Sequence, residues 1–182
     1  MSEIAPRRIL DFWFKETPQS RWFVADPVFD AAVRSRFKQV WREGRAGGLA
    51  DWQDDKQGAL ALILLFDQFP RNMFRNDIRA YSSDGLARAV ADRAIARGAD
   101  MGVEAALLEF LYMPLMHSEQ LADQQRCVEL FRKAGNTDNL QYAERHAEII
   151  RRFGRFPHRN PVLGRATTLP ERAFLDGGGF SG

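Results

Sequence analysis

Apolar residues recur at three- and four-residue intervals along most of this chain, and no sustained alternation of apolar and polar residues interrupts them. That pattern predicts helices throughout. Phe29, Val33, Phe37 and Val40 or Trp41 line one face of a segment that opens with Asp26-Pro27, an N-cap followed by a first-turn proline, and closes near Gly44. Ahead of it, Ile9, Leu10, Phe12, Trp13 and Phe14 crowd one or two turns between Arg7 and Phe14, and Pro18 limits their extension. Asp51 to Phe69 contains LALILLFDQF, apolar on nearly all sides and longer than a buried strand, which predicts a central helix. Proline disfavours helical geometry in the residue before it, so Pro70 predicts that Arg71 to Ser83 is a connecting loop with a turn of its own.

The second half repeats the design. A helix from about Asp84 to Arg97 is expected to turn Leu86, Val90 and Ala94 inward, with Gly98 as its C-cap. Glu104 to Met113 is almost entirely apolar until Pro114 interrupts it. Ser118 is placed to cap a further helix in which Leu121, Gln124, Val128 and Phe131 share one stripe, and Glu119, Asp123 and Arg126 another. Asn139 to Phe153 directs Leu140, Ala143, Ala147 and Ile150 inward and stops at Gly154, and Thr168 forms a T-x-x-E capping box with Glu171 before a last short helix. These patterns imply an all-α fold of about seven or eight helices, in antiparallel pairs because the connections are short. No clean internal period emerges, although Phe69-Pro70-Arg71-Asn72 and Phe156-Pro157-His158-Arg159-Asn160 rhyme as if they were equivalent corners of two hairpins.

Composition narrows the class. A chain of 182 residues is expected to form a single domain over 1–182, with a flexible tail from about residue 177, where Gly177-Gly178-Gly179 begins. Lysines and arginines number 26 against 24 acidic residues, too balanced for nucleic-acid binding through bulk charge. The single Cys127 excludes an intrachain disulfide and fits a reducing cytoplasm. The longest apolar run, Ala59 to Phe66, falls far short of the roughly 20 residues that span a bilayer, so no membrane partner is expected. The glycine run lacks the Lys and the strand-to-helix setting of a phosphate loop, and no cofactor is expected.

The chemistry-bearing residues gather at predicted helix ends. Asp67, Gln68, Arg71 and Asn72 end the central helix, His117, Ser118 and Glu119 follow the second apolar helix, and Arg155, His158, Arg159 and Asn160 follow the penultimate one. Alternate ends of an antiparallel array share a rim, so convergence on one concavity is the central expectation. Arg71, Arg75, Arg155 and Arg159 carry guanidinium forks suited to a carboxylate or phosphate, and His117 and His158 offer a proton switch near neutral pH. The structural alternative has Asp67, Glu119 and Asp123 neutralising those arginines in a network that stitches helix ends together. Ser118 reads as a cap rather than a nucleophile. The three histidines lack ligand spacing, so no metal is expected, and His146 is expected on a helix face, solvated or paired. Trp22 and Phe23 sit in a loop-like stretch that suits a lid or a partner surface.

With those residues in view, the chain resembles the bacterial family of unknown function DUF924. The resemblance is carried by ILDFWF at 9–14, RWF at 21–23, LALILLFDQFPRN at 60–72, FLYMPLMHSEQLADQQRCVELF at 110–131, and RFGRFPHRN with LGR at 152–165. It implies a fold similar to tetratricopeptide-repeat proteins, a right-handed array of antiparallel helix pairs, and no known activity. The family's motifs fall on Asp67, Gln68, Pro70, Arg71 and Asn72, on Pro114, His117, Ser118 and Glu119, and on Arg155, Pro157, His158, Arg159 and Asn160. FRNDIRAYSS at 74–83 departs from the family's usual turn. Three functions compete at this stage. The first is a cytoplasmic domain that binds an anionic small molecule or an acidic peptide terminus at the polar rim. The second is a protein-interaction module in which Trp22, Phe23 and arginine faces matter more. The third is a hydrolase using His117 or His158 as base with Glu119 or Asp67.

Overall fold

A computed structural model describes residues 4–180, and over them the chain is all-helical, with no strand. Eight helices succeed one another among the described residues. Helix α1 begins as Pro6–Asp11 and widens into a π turn at Phe12–Glu16, and α2 is Pro27–Arg45. Helix α3 runs as Lys56–Ile63, passes through a π turn at Leu64–Gln68 and ends as Phe69–Met73. Then come α4 (Asp84–Ala96), α5 (Ala105–Met116), α6 (Leu121–Lys133), α7 (Thr137–Phe153) and α8 (Leu169–Asp176). The chain divides into two compact units, one up to Pro114 and one from Leu115 onward.

Local chemistry explains the helix starts. The Asp26 carboxylate accepts from the amides of Val28 and Phe29 at 2.9 and 3.1 Å, and Asp55 does the same for Gln57 and Gly58 at 2.9 Å each. Both satisfy amides that a first turn leaves without a helical partner.

In the first unit, α3 is the core: every residue from Gly58 to Pro70 is buried. Helices α1 and α4 pack on α3, and α2 covers its last turn. Phe37 and Phe69 meet at 4.7 Å between ring centroids and Phe12 and Phe37 at 4.9 Å, so aromatic rings knit three helices together. Trp22, expected as a surface residue, belongs to this core. Its indole N–H donates to the Trp13 carbonyl at 3.0 Å and its ring stacks on Trp13, which satisfies the polar end and buries the apolar body. Phe23 beside it remains 62% exposed.

Two prolines expected to stop helices lie inside them. Pro114 is within α5. Pro70 is within α3, where it has no N–H for the carbonyl four residues back, that of Phe66. The π turn just before it widens the spiral, and the buried Ser83 hydroxyl donates to the Phe66 carbonyl at 2.7 Å. Helix α3 therefore continues to Met73, and the connection expected over 71–83 shrinks and contains a 3-10 turn at Ile78–Tyr81. Leu86 and Leu121, expected to point inward, are 40% and 39% exposed; the inner face of α4 is instead Ala87, Val90, Ala91 and Ala94.

In the second unit α6 and α7 fold back on each other around Gly135, whose φ of +67° suits glycine. Ile149 and Ile150 of α7 bury against Phe156, with Phe153, Phe174 and Phe180 packed around them. The capping box ahead of α8 is present: the Glu171 amide donates to Thr168 Oγ1, and the Glu171 carboxylate accepts from the Thr168 amide at 2.7 Å. The two FPRN-like corners differ in local shape. Pro70 sits within a helix, whereas Pro157 opens the 3-10 turn Pro157–Arg159 after Gly154 has ended α7 in left-handed geometry. Among the described residues no helix is long and apolar enough to cross a membrane.

Candidate functional site

Helix α3 carries Asp67, Gln68, Arg71 and Asn72 on its π turn and last turn, all within the first unit. The Gln68 amide donates to Asp67 Oδ2 at 2.5 Å and lies 2.9 Å from Met113 Sδ. Arg71 Nη1 donates to the Asp67 main-chain carbonyl and stands 3.3 Å from Asp67 Oδ1. The Arg71 fork then closes on Asp84, with Nη1 and Nη2 at 3.1 and 3.2 Å from the two carboxylate oxygens. Burial alone lowers an arginine's pKa, but Asp67 and Asp84 outweigh it and hold Arg71 charged more firmly than in water. Asn72 turns toward α2, donating to Asp30 Oδ1 at 2.9 Å, and Arg75 forks onto the same carboxylate at 2.7 and 3.0 Å. In this unit the guanidinium forks of Arg71 and Arg75 face the protein's own carboxylates.

The second unit holds His117, Ser118 and Glu119 ahead of α6, and Arg155, His158, Arg159 and Asn160 in and beside the short 3-10 turn that follows α7. Glu119 reaches from the start of the unit to accept the Phe156 amide at 2.8 Å, and Arg165 clamps it with Nη1 and Nη2 at 2.8 and 3.0 Å. Burial raises the Glu119 pKa, yet the bonds from Arg165 and Phe156 and the charge of Arg159 leave it lowered. Arg155 forks onto Glu171 at 2.6 and 2.9 Å, and beside the Thr168 amide the Asn160 amide adds a fourth donor to that carboxylate at 3.2 Å. Arg155 first, and then the bonds from Thr168, outweigh burial and pull the Glu171 pKa down to about 2. Ser118 is a turn residue: its hydroxyl donates to Asp123 at 2.5 Å and accepts the Gln120 amide at 3.1 Å. That turn leads directly into α6, which begins at Leu121.

Arg159 is 6% exposed, its guanidinium 4.5 Å over the Phe156 ring. The neighbouring His158 ring is depressed to about pKa 3, first by burial, then by the positive charge of Arg159 and by His146 and His117, with Glu119 opposing. His146, expected on a helix face and either solvated or paired, is 5% exposed and paired, its Nδ1 lying 2.8 Å from the Tyr142 carbonyl. A carbonyl only accepts, so Nδ1 carries the hydrogen. Buried polar atoms without a hydrogen-bond partner cluster here: His158 Nδ1, Arg165 Nε and Asn160 Oδ1. A shallow, open groove of about 370 Å³ adjoins, lined by Arg152, Phe153, Arg155, Thr168, Pro170 and Glu171. Among the described residues no group of three or more His, Cys, Asp or Glu side chains is arranged to hold a metal ion.

Several members escaped sequence reasoning. Asp84 and Glu171 are legible in the sequence only as helix-start residues and Arg165 only as the last residue of LGR, and Asp30 carries no signal there; their pairing needs the fold. Fold and polar corners together define an all-helical domain whose partly buried arginines fork onto its own carboxylates. The chain belongs to the DUF924 family, whose model, described as a bacterial protein of unknown function, matches residues 9–179. It is similar to the solved structure of a protein of unknown function from Agrobacterium tumefaciens, at 43% identity and a TM-score of 0.89 over 94% of this chain and 97% of that one. No curated protein matches the chain.

Proposed function

We propose that the second unit is a binding domain for an anionic ligand, a small carboxylate or phosphate or the acidic end of a peptide, held where His117, His158, Arg159 and Arg165 surround Glu119. The observation that carries this reading is the set of buried, unpartnered atoms there, His158 Nδ1 and Arg165 Nε beside Asn160 Oδ1, in a setting where two arginines act on one carboxylate. Leaving buried polar atoms unmatched costs stability, and a bound oxyanion matches the donors. Arg71 and Arg155, forked onto internal carboxylates and with no atom among the buried unpartnered ones, serve the fold in this reading, whereas Arg165, although forked onto Glu119, still has Nε without a partner.

The test is thermal stability of the purified protein against inorganic phosphate, citrate and a short acidic peptide at fixed pH and ionic strength. A saturable rise in Tm is expected, lost in Arg165→Gln and Arg159→Gln and kept in Arg75→Gln. Equal rises in all four proteins, or none, overturn the reading. A second reading, a protein-interaction module, is supported by Phe23, Val24 and Val28, exposed at 62%, 54% and 76% around the start of α2. Retention of a partner by Arg159→Gln together with its loss in Phe23→Ala favours this second reading.

A further inference from the structure

The end of α8 is built to turn the chain back. Gly178 adopts φ +78°, its amide donates to the Leu175 carbonyl at 3.2 Å, and the Gly179 amide donates to the Phe174 carbonyl at 2.9 Å. This is a Schellman closure, which needs a residue tolerant of left-handed geometry. A Cβ on Gly179 would stand 2.5 Å from the Phe174 carbonyl oxygen, so glycine is required at that close approach as well. The turn delivers Phe180 onto the polar corner. Its ring lies edge-on between His146, at 4.5 Å and 62°, and His158, at 5.2 Å and 78°, with Phe156, Ile149 and Ile150 packed against it. One aromatic residue therefore covers both histidines, and the one of them with an unpartnered buried nitrogen is His158.

We propose that Phe180 is a latch on the anion corner: seated, it seals the slot between His146 and His158, and its release opens His158 to the ligand. The inference rests on the anion-binding reading above and adds its regulation. Release is linked to protons. The groups that act on His158 are Arg159, His146 and His117, which oppose its protonation, and Glu119, which favours it; on His146 they are Arg159 and Arg145, with the Tyr142 carbonyl opposing them. With the ring withdrawn, His158 regains water and its affinity for a proton rises toward the ordinary value, with Arg159, His146 and His117 still opposing it. Below the ordinary histidine pKa of about 6.5, the open fraction then grows by up to about tenfold per pH unit for one proton. An anion binds the protonated ring best, so ligand and acid open the latch together.

The experiment compares the full chain with Phe180→Ala and Phe180→Leu, by side-chain NMR titration of the histidines and by calorimetric titration with inorganic phosphate at several pH values. In Phe180→Ala the His158 titration is expected to rise toward the ordinary histidine range. For an open population on the order of 10%, phosphate binding tightens about tenfold, with a flatter pH profile. Phe180→Leu keeps apolar cover and the fold, and is expected to stay near the parent. An unmoved His158 titration in Phe180→Ala overturns the latch whatever phosphate does. A shifted His158 with no phosphate binding in any of the proteins overturns the anion reading and this proposal with it. A shifted His158 with unchanged phosphate affinity leaves the anion site standing and removes the latch.

Discussion

Replacing Ser83 with alanine tests the account of how α3 survives its own proline. Ser83 is 0% exposed, and its hydroxyl donates to the Phe66 carbonyl at 2.7 Å while accepting the Trp41 indole N–H at 3.1 Å. Alanine leaves both groups without the partner Ser83 supplied. A buried polar group stripped of its partner costs about 1–3 kcal/mol, so the pair costs about 2–6 kcal/mol. Restoring a backbone donor rescues half of that loss. In a Pro70→Ala background the amide at position 70 can serve the Phe66 carbonyl, so Ser83→Ala there costs about 1–3 kcal/mol less than in the parent. The assay is urea unfolding followed by tryptophan fluorescence. All four tryptophans, Trp13, Trp22, Trp41 and Trp52, lie in the first unit, so the signal reports the unit that is perturbed. At an unchanged m-value, a loss below about 0.5 kcal/mol for Ser83→Ala refutes the reasoning, as does a mutant cycle additive within about 0.5 kcal/mol.

Further expectations concern single groups. Gly58→Ala, which in an exposed helix interior stabilises by about 1 kcal/mol, is expected to lower the urea midpoint here, because its Cβ would stand 2.0 Å from the Trp52 carbonyl oxygen. Glu171 is held near pKa 2 by Arg155, below its ordinary 4.5. Its contribution to stability is thus present above about pH 4.5 and lost as pH falls toward about 2, and acid titration by circular dichroism should show a smaller loss across that window in Glu171→Gln. Burial pushes the Cys127 thiol up to about 12, so a thiol-specific reagent at pH 8 is expected to label it in denaturant and not in the native protein. Trp22→Ala is expected to destabilise the first unit by about 3–5 kcal/mol, while Phe23→Ala changes its urea midpoint little.

Much of this protein was legible one segment at a time. Period and punctuation located the helices: Asp26-Pro27 opens α2, Thr168 with Glu171 opens α8, and Gly154 closes α7, each through chemistry confined to a few residues. The polar residues at 67–72, 117–119 and 155–160 also announced themselves by standing against apolar helices. Tertiary structure decided what a local reading had no means to supply. Pro70 is accommodated in the helix where Ser83, thirteen positions further on, donates to the Phe66 carbonyl, which the proline has no N–H to serve. Trp22 is buried because the Trp13 carbonyl accepts its indole hydrogen, and His146 because the second unit folds Phe156 and Phe180 over it. The same holds for the arginines. Their number is a property of composition, but whether a guanidinium meets a ligand or an internal carboxylate depends on which acidic side chain the fold brings within about 3 Å. Asp84 for Arg71 and Glu171 for Arg155 are partners 13 and 16 residues away, beyond the reach of helical periodicity.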